Sequence, residues 1–446
     1  MNSRGDNPSV LLRRSGVRWR IFFLLLLLVS INYVDRASLS VALPVISAEF
    51  HLSAAQQGFL LSAFFWTYCA MQIPGGLLAD WLKPRLMITA AAIIWGLFQC
   101  LGAGATSTAV LAFSRLGLGA AEGPVYPSAS KLNAVWMPFK ERGRGAALLD
   151  GGAPLGAAFG SVIIAALISA LGSWRLAFLI AGLGTIACGA LAWWYIRDTP
   201  QAHPSVNEAE CAYIIEGQRD EYAEPTDHPV TNKQIFSSPS IWLMFVGWIC
   251  CNTVWVGLLS WMPSYLANTQ KLNISAVGGF SFIIFLSGFV GEIVGGSVLD
   301  FLIRRNVSRG IACRIVFGIS AVIATTALFT VAYLHDITAI VVVLAIALFF
   351  TRWSNLYWAV PTMLVASEKV GLVGGSMNFG ATAFNAITTI LIGFIIRETG
   401  SYFYALMFFA MAGLLLLVCS LCIRYRPIRG DGNSAIVANL DSKFSS

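Results

Sequence analysis

Twelve apolar stretches, each near or above the roughly 20 residues that cross a bilayer as a helix, recur along the 446-residue chain. They lie near 20–46, 54–79, 86–104, 109–131, 144–170, 174–195, 240–267, 276–300, 311–333, 338–365, 372–396 and 402–424. In hydrocarbon a backbone satisfies its own polar groups only as a helix or a closed barrel, and unbroken runs of this length read as helices. The expected fold is all-α: a polytopic membrane protein of twelve transmembrane helices in two six-helix halves. Charged residues make up 11%, against about 25% in soluble domains, which excludes a string of soluble domains. The one long polar interval, 196–239, carries His203, Pro204, Glu208, Glu210, Arg219, Asp220 and Glu221. It predicts a tail at 1–19, a bundle at 20–195, a central cytoplasmic loop at 196–239, a second bundle at 240–424 and a tail at 425–446.

Charge asymmetry gives an orientation. With both termini cytoplasmic, 22 of the 29 Lys and Arg residues fall on the cytoplasmic side, and only Arg175, Lys271 and Arg397 on the other. The net charge of +7 is scattered over short loops, which suits an anionic leaflet and not a nucleic acid. Arg4, Arg13, Arg14, Arg18 and Arg20 precede an apolar run too long for a signal peptide, with no small-residue cleavage site, so a first membrane helix is expected. The nine cysteines form no CxxC or Cys/His spacing, and neither a metal site nor disulfides are expected.

The halves echo one another. Gly76-Leu77-Leu78-Ala79-Asp80, then Lys83 and Arg85, follows the second span; Gly296-Ser297-Val298-Leu299-Asp300, then Arg304 and Arg305, follows the eighth. Two related halves meeting at a midplane site is a transporter plan. Asp80, Arg85 and Asp300 are read as gating or structural residues.

Val110 to Pro127 is apolar yet contains Arg115 and Glu122, seven residues apart and so on one helix face. Asp35 and Arg36 lie within the first span. An ionisable residue at mid-membrane costs roughly 2.5–3.5 kcal/mol on insertion scales and is expected to face a bundle interior or wet cavity. Four of them in one half must share such an interior. Arginine grips a carboxylate with parallel hydrogen bonds and does not release its proton, whereas burial and a neighbouring cation pull a carboxyl in opposite directions. Asp35 and Glu122 are therefore assigned to proton coupling, and Arg36 and Arg115 to an anionic substrate. Tyr33, Tyr68, Asn355, Trp358 and Asn378 are candidate pocket residues, with Trp255, Trp261, Tyr265 and Asn385 as further polar or aromatic linings. Asp150 is read as gating or structural. Glu292 admits two readings, a helix-contact charge or a second ionisable site. No P-loop, GxGxxG, HExxH or GxSxG occurs, so no enzyme, no cofactor and no ATP site is expected, and uphill transport must draw on an ion gradient.

The paired GxLaD turns, twelve spans and central loop resemble the major facilitator superfamily. Within it, NYVDRASLSVA (32–42), QIPGGLLAD (72–80), RLGLGAAEGPVYP (115–127), KERGRG (140–145) and WMPSYL (261–266) resemble the anion:cation symporter family, whose bacterial members carry galactonate, glucarate or galactarate, and hexuronates with protons. The resemblance implies proton coupling by Asp35 and Glu122, a substrate carboxylate on Arg36, Arg115 beside the central acid, pocket tyrosines Tyr33 and Tyr68, and pocket Asn378. It departs at Ala153, where the sugar-acid carriers have a hydroxyl-binding glutamine. It departs also at Asn355, where they have a small residue, at Glu292, usually glycine or apolar, and at Lys83, typically glycine. The expected function is proton-coupled import of a small organic anion, a sugar acid or related carboxylate, by a monomer in a bacterial inner membrane. The alternatives are a proton-coupled antiporter exporting a drug or metabolite, and a membrane anion sensor that transports nothing.

Overall fold

The structure, a computed structural model, describes residues 14–219 and 230–428. The first half comprises α1 (Val17–Phe50), α2 (Ala54–Leu82), α3 (Pro84–Ala103), α4 (Thr108–Glu122), α5 (Val125–Trp136), α6 (Arg142–Leu171) and α7 (Trp174–Tyr195). Two short helices, α8 (Glu208–Arg219) and α9 (Asn232–Ser237), follow in the polar interval. The second half comprises α10 (Pro239–Thr269), α11 (Ile274–Arg304), α12 (Arg309–Val331), α13 (Ile337–Thr351), α14 (Pro361–Leu364), α15 (Ser367–Thr399) and α16 (Phe403–Cys422). Ten helical segments among the described residues are long and apolar enough to cross a membrane; α2 and the α4–α5 pair complete the twelve stretches. Asp220, Glu221, most of the 1–19 tail and most of the 425–446 tail lie outside the described residues.

Two of these spans are interrupted. The fourth breaks at Gly123-Pro124, where proline supplies no amide hydrogen. The tenth passes from α13 into a 3-10 segment, Arg352–Ala359, before α14. Both breaks fall in the same ordinal span of each half, and interrupted helices in matching positions are where transporters place their sites.

Small residues set the packing. A methyl group at Gly119 of α4 would lie 2.2 Å from the Phe64 carbonyl oxygen of α2, so these backbones touch. The seam between halves is formed by α6 against α11, α2 against α15 and α1 against α10. On the face away from the chain ends the seam is closed: a methyl at Gly278 would lie 2.3 Å from Ala165 Cβ, and one at Gly393 would lie 2.6 Å from the Ala54 carbonyl oxygen. On the face bearing the chain ends, Gly371 and Gly375 of α15 adjoin open space. The apolar core follows the same division. One cluster runs through both halves, including Leu39, Leu61, Leu266, Phe285 and Ile392, while a second (Ile241, Phe317, Tyr357 and Ile423 among it) joins the second half to Ile235 of α9.

On the chain-end face, α8 docks on the first half. Helix α1 has no local side-chain cap, and Glu210 of α8 supplies one, accepting from the amides of Val17 at 3.0 Å and Arg18 at 3.3 Å. Arg18 Nη1 lies 2.8 Å from the same carboxylate and its Nε 2.9 Å from Glu141. Burial pushes the Glu210 carboxyl up, but hydrogen bonds from Ser15, Val17 and Arg18 outweigh it and hold it below the usual carboxylate range.

Candidate substrate and proton site

The charges of α1 and α4 form two pockets set back to back. Asp35 is fully buried and points into the first half, where its Oδ2 accepts from Trp95 Nε1 of α3 at 3.0 Å and Thr185 Oγ1 of α7 at 2.8 Å. Arg115, also buried, donates from Nη1 to the Asp35 carbonyl oxygen at 3.0 Å and lies 5.1 Å from the Phe178 ring. Its Nε and Nη2, like Asp35 Oδ1, have no hydrogen-bond partner among the described residues.

Arg36 points the other way. Its Nε donates to Glu122 Oε2 at 3.0 Å, and its Nη2 lies 2.9 Å from the same oxygen. The guanidinium sits 4.6 Å from the Tyr33 ring, 4.5 Å from Phe64 and 4.7 Å from Tyr68, an aromatic cage of the kind that stabilises a desolvated cation. Glu122 is fully buried, whereas Arg36 retains some exposure. Tyr33 meets Trp255 of α10 at 6.2 Å between centroids, so this cage borders the second half.

Trp255 in turn lies 4.6 Å from the Arg352 guanidinium. Arg352, in the 3-10 segment, binds Glu292 Oε2 of α11 through Nε at 3.2 Å and Nη2 at 2.6 Å. Asn355 Nδ2 donates to Glu292 Oε1 at 2.9 Å and to Asp150 Oδ2 of α6, which bridges the halves.

Arg36, Glu122, Tyr33 and Tyr68 are thus brought together, and Asn355 joins Asp150 and Glu292. Asp35 and Arg115 share a separate pocket within the first half. Trp358 is exposed and packs on Trp248 at 5.6 Å. Asn378 is half-buried on α15, one turn before Thr382, which accepts from Gln72 of α2 at 3.1 Å. Arg85 ties α3 to α7: its amide donates to Asp198 at 3.0 Å and its side chain to the Trp193 carbonyl oxygen. Asp300 is exposed at the end of α11, and the side chain of Asp80 lies outside the described residues. Sequence reasoning missed Trp95, Thr185 and Phe64, ordinary span residues without a distinguishing signal. The Glu292–Arg352 pairing did carry one, two opposite charges in spans eight and ten.

The chain matches the family model described as "Major Facilitator Superfamily" over residues 25–383. It is 30% identical over 429 residues to the Escherichia coli (strain K12) protein named "Probable galactarate/D-glucarate transporter GarP", covering 92% of this chain and 96% of that one. It is 30% identical over 405 residues to the "Hexuronate transporter" of Bacillus subtilis (strain 168), covering 90% and 93%. Its fold matches the crystal structure of a bacterial homolog of the human lysosomal transporter Spinster, inward-facing and occupied, with a TM-score of 0.69 at 18% identity over 92% of this chain and 95% of that one.

Proposed function

The chain belongs to the Major Facilitator Superfamily, a transporter and not an enzyme, and on that premise we propose that it is a proton-coupled symporter importing a small organic anion. The observation that carries this reading is the Arg36–Glu122 pair in its aromatic cage at the border of the second half. With Glu122 ionised, the guanidinium is held by an internal carboxylate. A proton on Glu122 weakens that grip and frees the arginine fork for the carboxylate of a guest. Anion and proton then bind together and leave together. Asp35, with two donors on one oxygen and Arg115 at its backbone, forms a second acidic position behind the first.

The named relatives favour a sugar acid or a related carboxylate as cargo. Ala153 and Asn355 alter the residues expected around a sugar hydroxyl, so the carboxylate is the better supported part of the assignment. The chain is assigned to a bacterial inner membrane with both termini cytoplasmic, in keeping with its basic loops, and to work as a monomer.

The test is uptake into proteoliposomes with D-glucarate and D-galacturonate as probes. Glu122→Gln is expected to exchange the transported probe across the membrane while failing to accumulate it on an inward proton gradient. Full accumulation by this variant would refute the role of Glu122. Probe addition should alkalinise the medium; acidification would mark an antiporter, and absence of flux with intact binding would mark a sensor.

A further inference from the structure

Where the halves touch beyond the Arg36 cage, two carboxyl groups share a single cation. Glu292 holds Arg352 through Oε2, and Asn355 Nδ2 donates both to Glu292 Oε1 and to Asp150 Oδ2. Arg352 is 5% exposed and Asn355 9%, whereas Asp150 and Glu292 are half-buried. Among the described residues, the further ionisable groups that act on the cluster include Cys251 on α10, Tyr33 on α1 and Tyr126 on α5, none a cation at neutral pH, and Arg36, on the far side of Tyr33, is already neutralised by Glu122. With both carboxyls ionised the cluster has a net charge of −1 at membrane depth. One amide nitrogen would then be all that separates two like charges. Like charges this close do not both ionise readily, and the usual resolution is one shared proton.

We propose that Asp150 and Glu292 hold one exchangeable proton between them, a second proton site spanning the seam. The proton is taken from water through the half-buried Asp150 carboxyl. It stays while α6, α11 and the 3-10 segment remain in contact. It returns to water when they part and each carboxylate is hydrated separately; no bond between heavy atoms changes. Two features carry the argument: the acids come from opposite halves, and they outnumber the cation present. The inference extends the reading of the protein as proton-driven, but its test does not use transport.

Infrared difference spectra of the purified full-length protein, recorded between about pH 5 and about pH 9, detect a buried protonated carboxyl by its C=O stretch. In an Asp35→Asn/Arg36→Gln/Glu122→Gln background, which removes both acids assigned to coupling together with the arginine that Glu122 neutralises, one titrating buried-carboxyl band should persist. Adding Asp150→Asn should abolish it, and so should Glu292→Gln, because the pair holds one proton. Monodisperse elution of each variant establishes that it is folded. A background lacking the band overturns the proposal whether or not the further variants fold, as does a band untouched by either substitution. Sodium chloride removing the band at constant pH would make this a sodium site and also overturn it. Failure of the Glu122 reading appears instead in the liposome assay, where these outcomes have no effect.

Discussion

Asp35 and Arg36 are neighbours on one helix, about 100° apart around its axis, and they serve different faces of it. Arg36 uses a planar fork stacked among Tyr33, Phe64 and Tyr68. Arg36→Lys keeps the charge but loses the fork, so affinity for a bound carboxylate probe should fall about tenfold, roughly 1.4 kcal/mol, measured by calorimetry. Unchanged affinity would remove Arg36 from the anion site. Trp95→Phe withdraws one of two hydrogen bonds to the buried Asp35 Oδ2. It should destabilise the detergent-solubilised protein by about 1–3 kcal/mol in thermal or denaturant unfolding. The charges themselves were legible in the sequence, since an ionisable residue in a span must have a reason to be there. Their partners were not: the contact of Asp35 with Trp95 and Thr185 depends on the relative rotation of three helices, which no spacing within one span encodes.

At the scale of elements, the span positions were legible to within a few residues because the bilayer sets the length of the apolar stretch, while several helices run on past it. The break in the fourth span has a visible cause in Gly123-Pro124, but the 3-10 segment at Arg352–Ala359 contains neither glycine nor proline and was read as continuous helix. The turn between α2 and α3 places Lys83 at φ 68°, ψ 141°, a region that favours glycine, and Asn306 in the matching turn of the second half is at φ 61°. Lys83→Gly should therefore stabilise the protein by about 1 kcal/mol, raising its unfolding midpoint. The clamp of α8 on α1 should depend on pH in one direction. Glu210 has a depressed folded-state value, so its contribution is complete above the unfolded carboxylate value near 4.5. It is lost as pH falls through the lower, folded value. Hydrogen exchange at α8 should thus be insensitive to pH, after correction for the intrinsic rate, from about 8 down to about 5, and protection should disappear only in stronger acid. Glu210→Gln should show reduced protection throughout.

For the whole molecule, the seam is sealed on the face away from the chain ends by backbones that meet at Gly278 and Gly393. Leucine at Gly393 cannot be accommodated without parting α2 from α15. The overpacking cost of about 1–3 kcal/mol should shift the population away from this state roughly 5- to 150-fold. Spin-label distances across the sealed face should lengthen, and unchanged distances would mean the seam is softer than its packing implies. The twofold plan was legible from the repeated Gly76–Asp80 and Gly296–Asp300 turns, but the sidedness of the opening was not, because both sidednesses of an alternating-access carrier use the same sequence. That sidedness has a kinetic corollary. The apolar cluster common to both halves must be parted each time the site is turned around, laden or not, and only cargo bound across the seam offsets that cost, so the unladen reset is expected to be the slow leg of each round. Vesicles pre-filled with unlabelled cargo should then take up tracer faster than empty ones, since a laden carrier skips the reset.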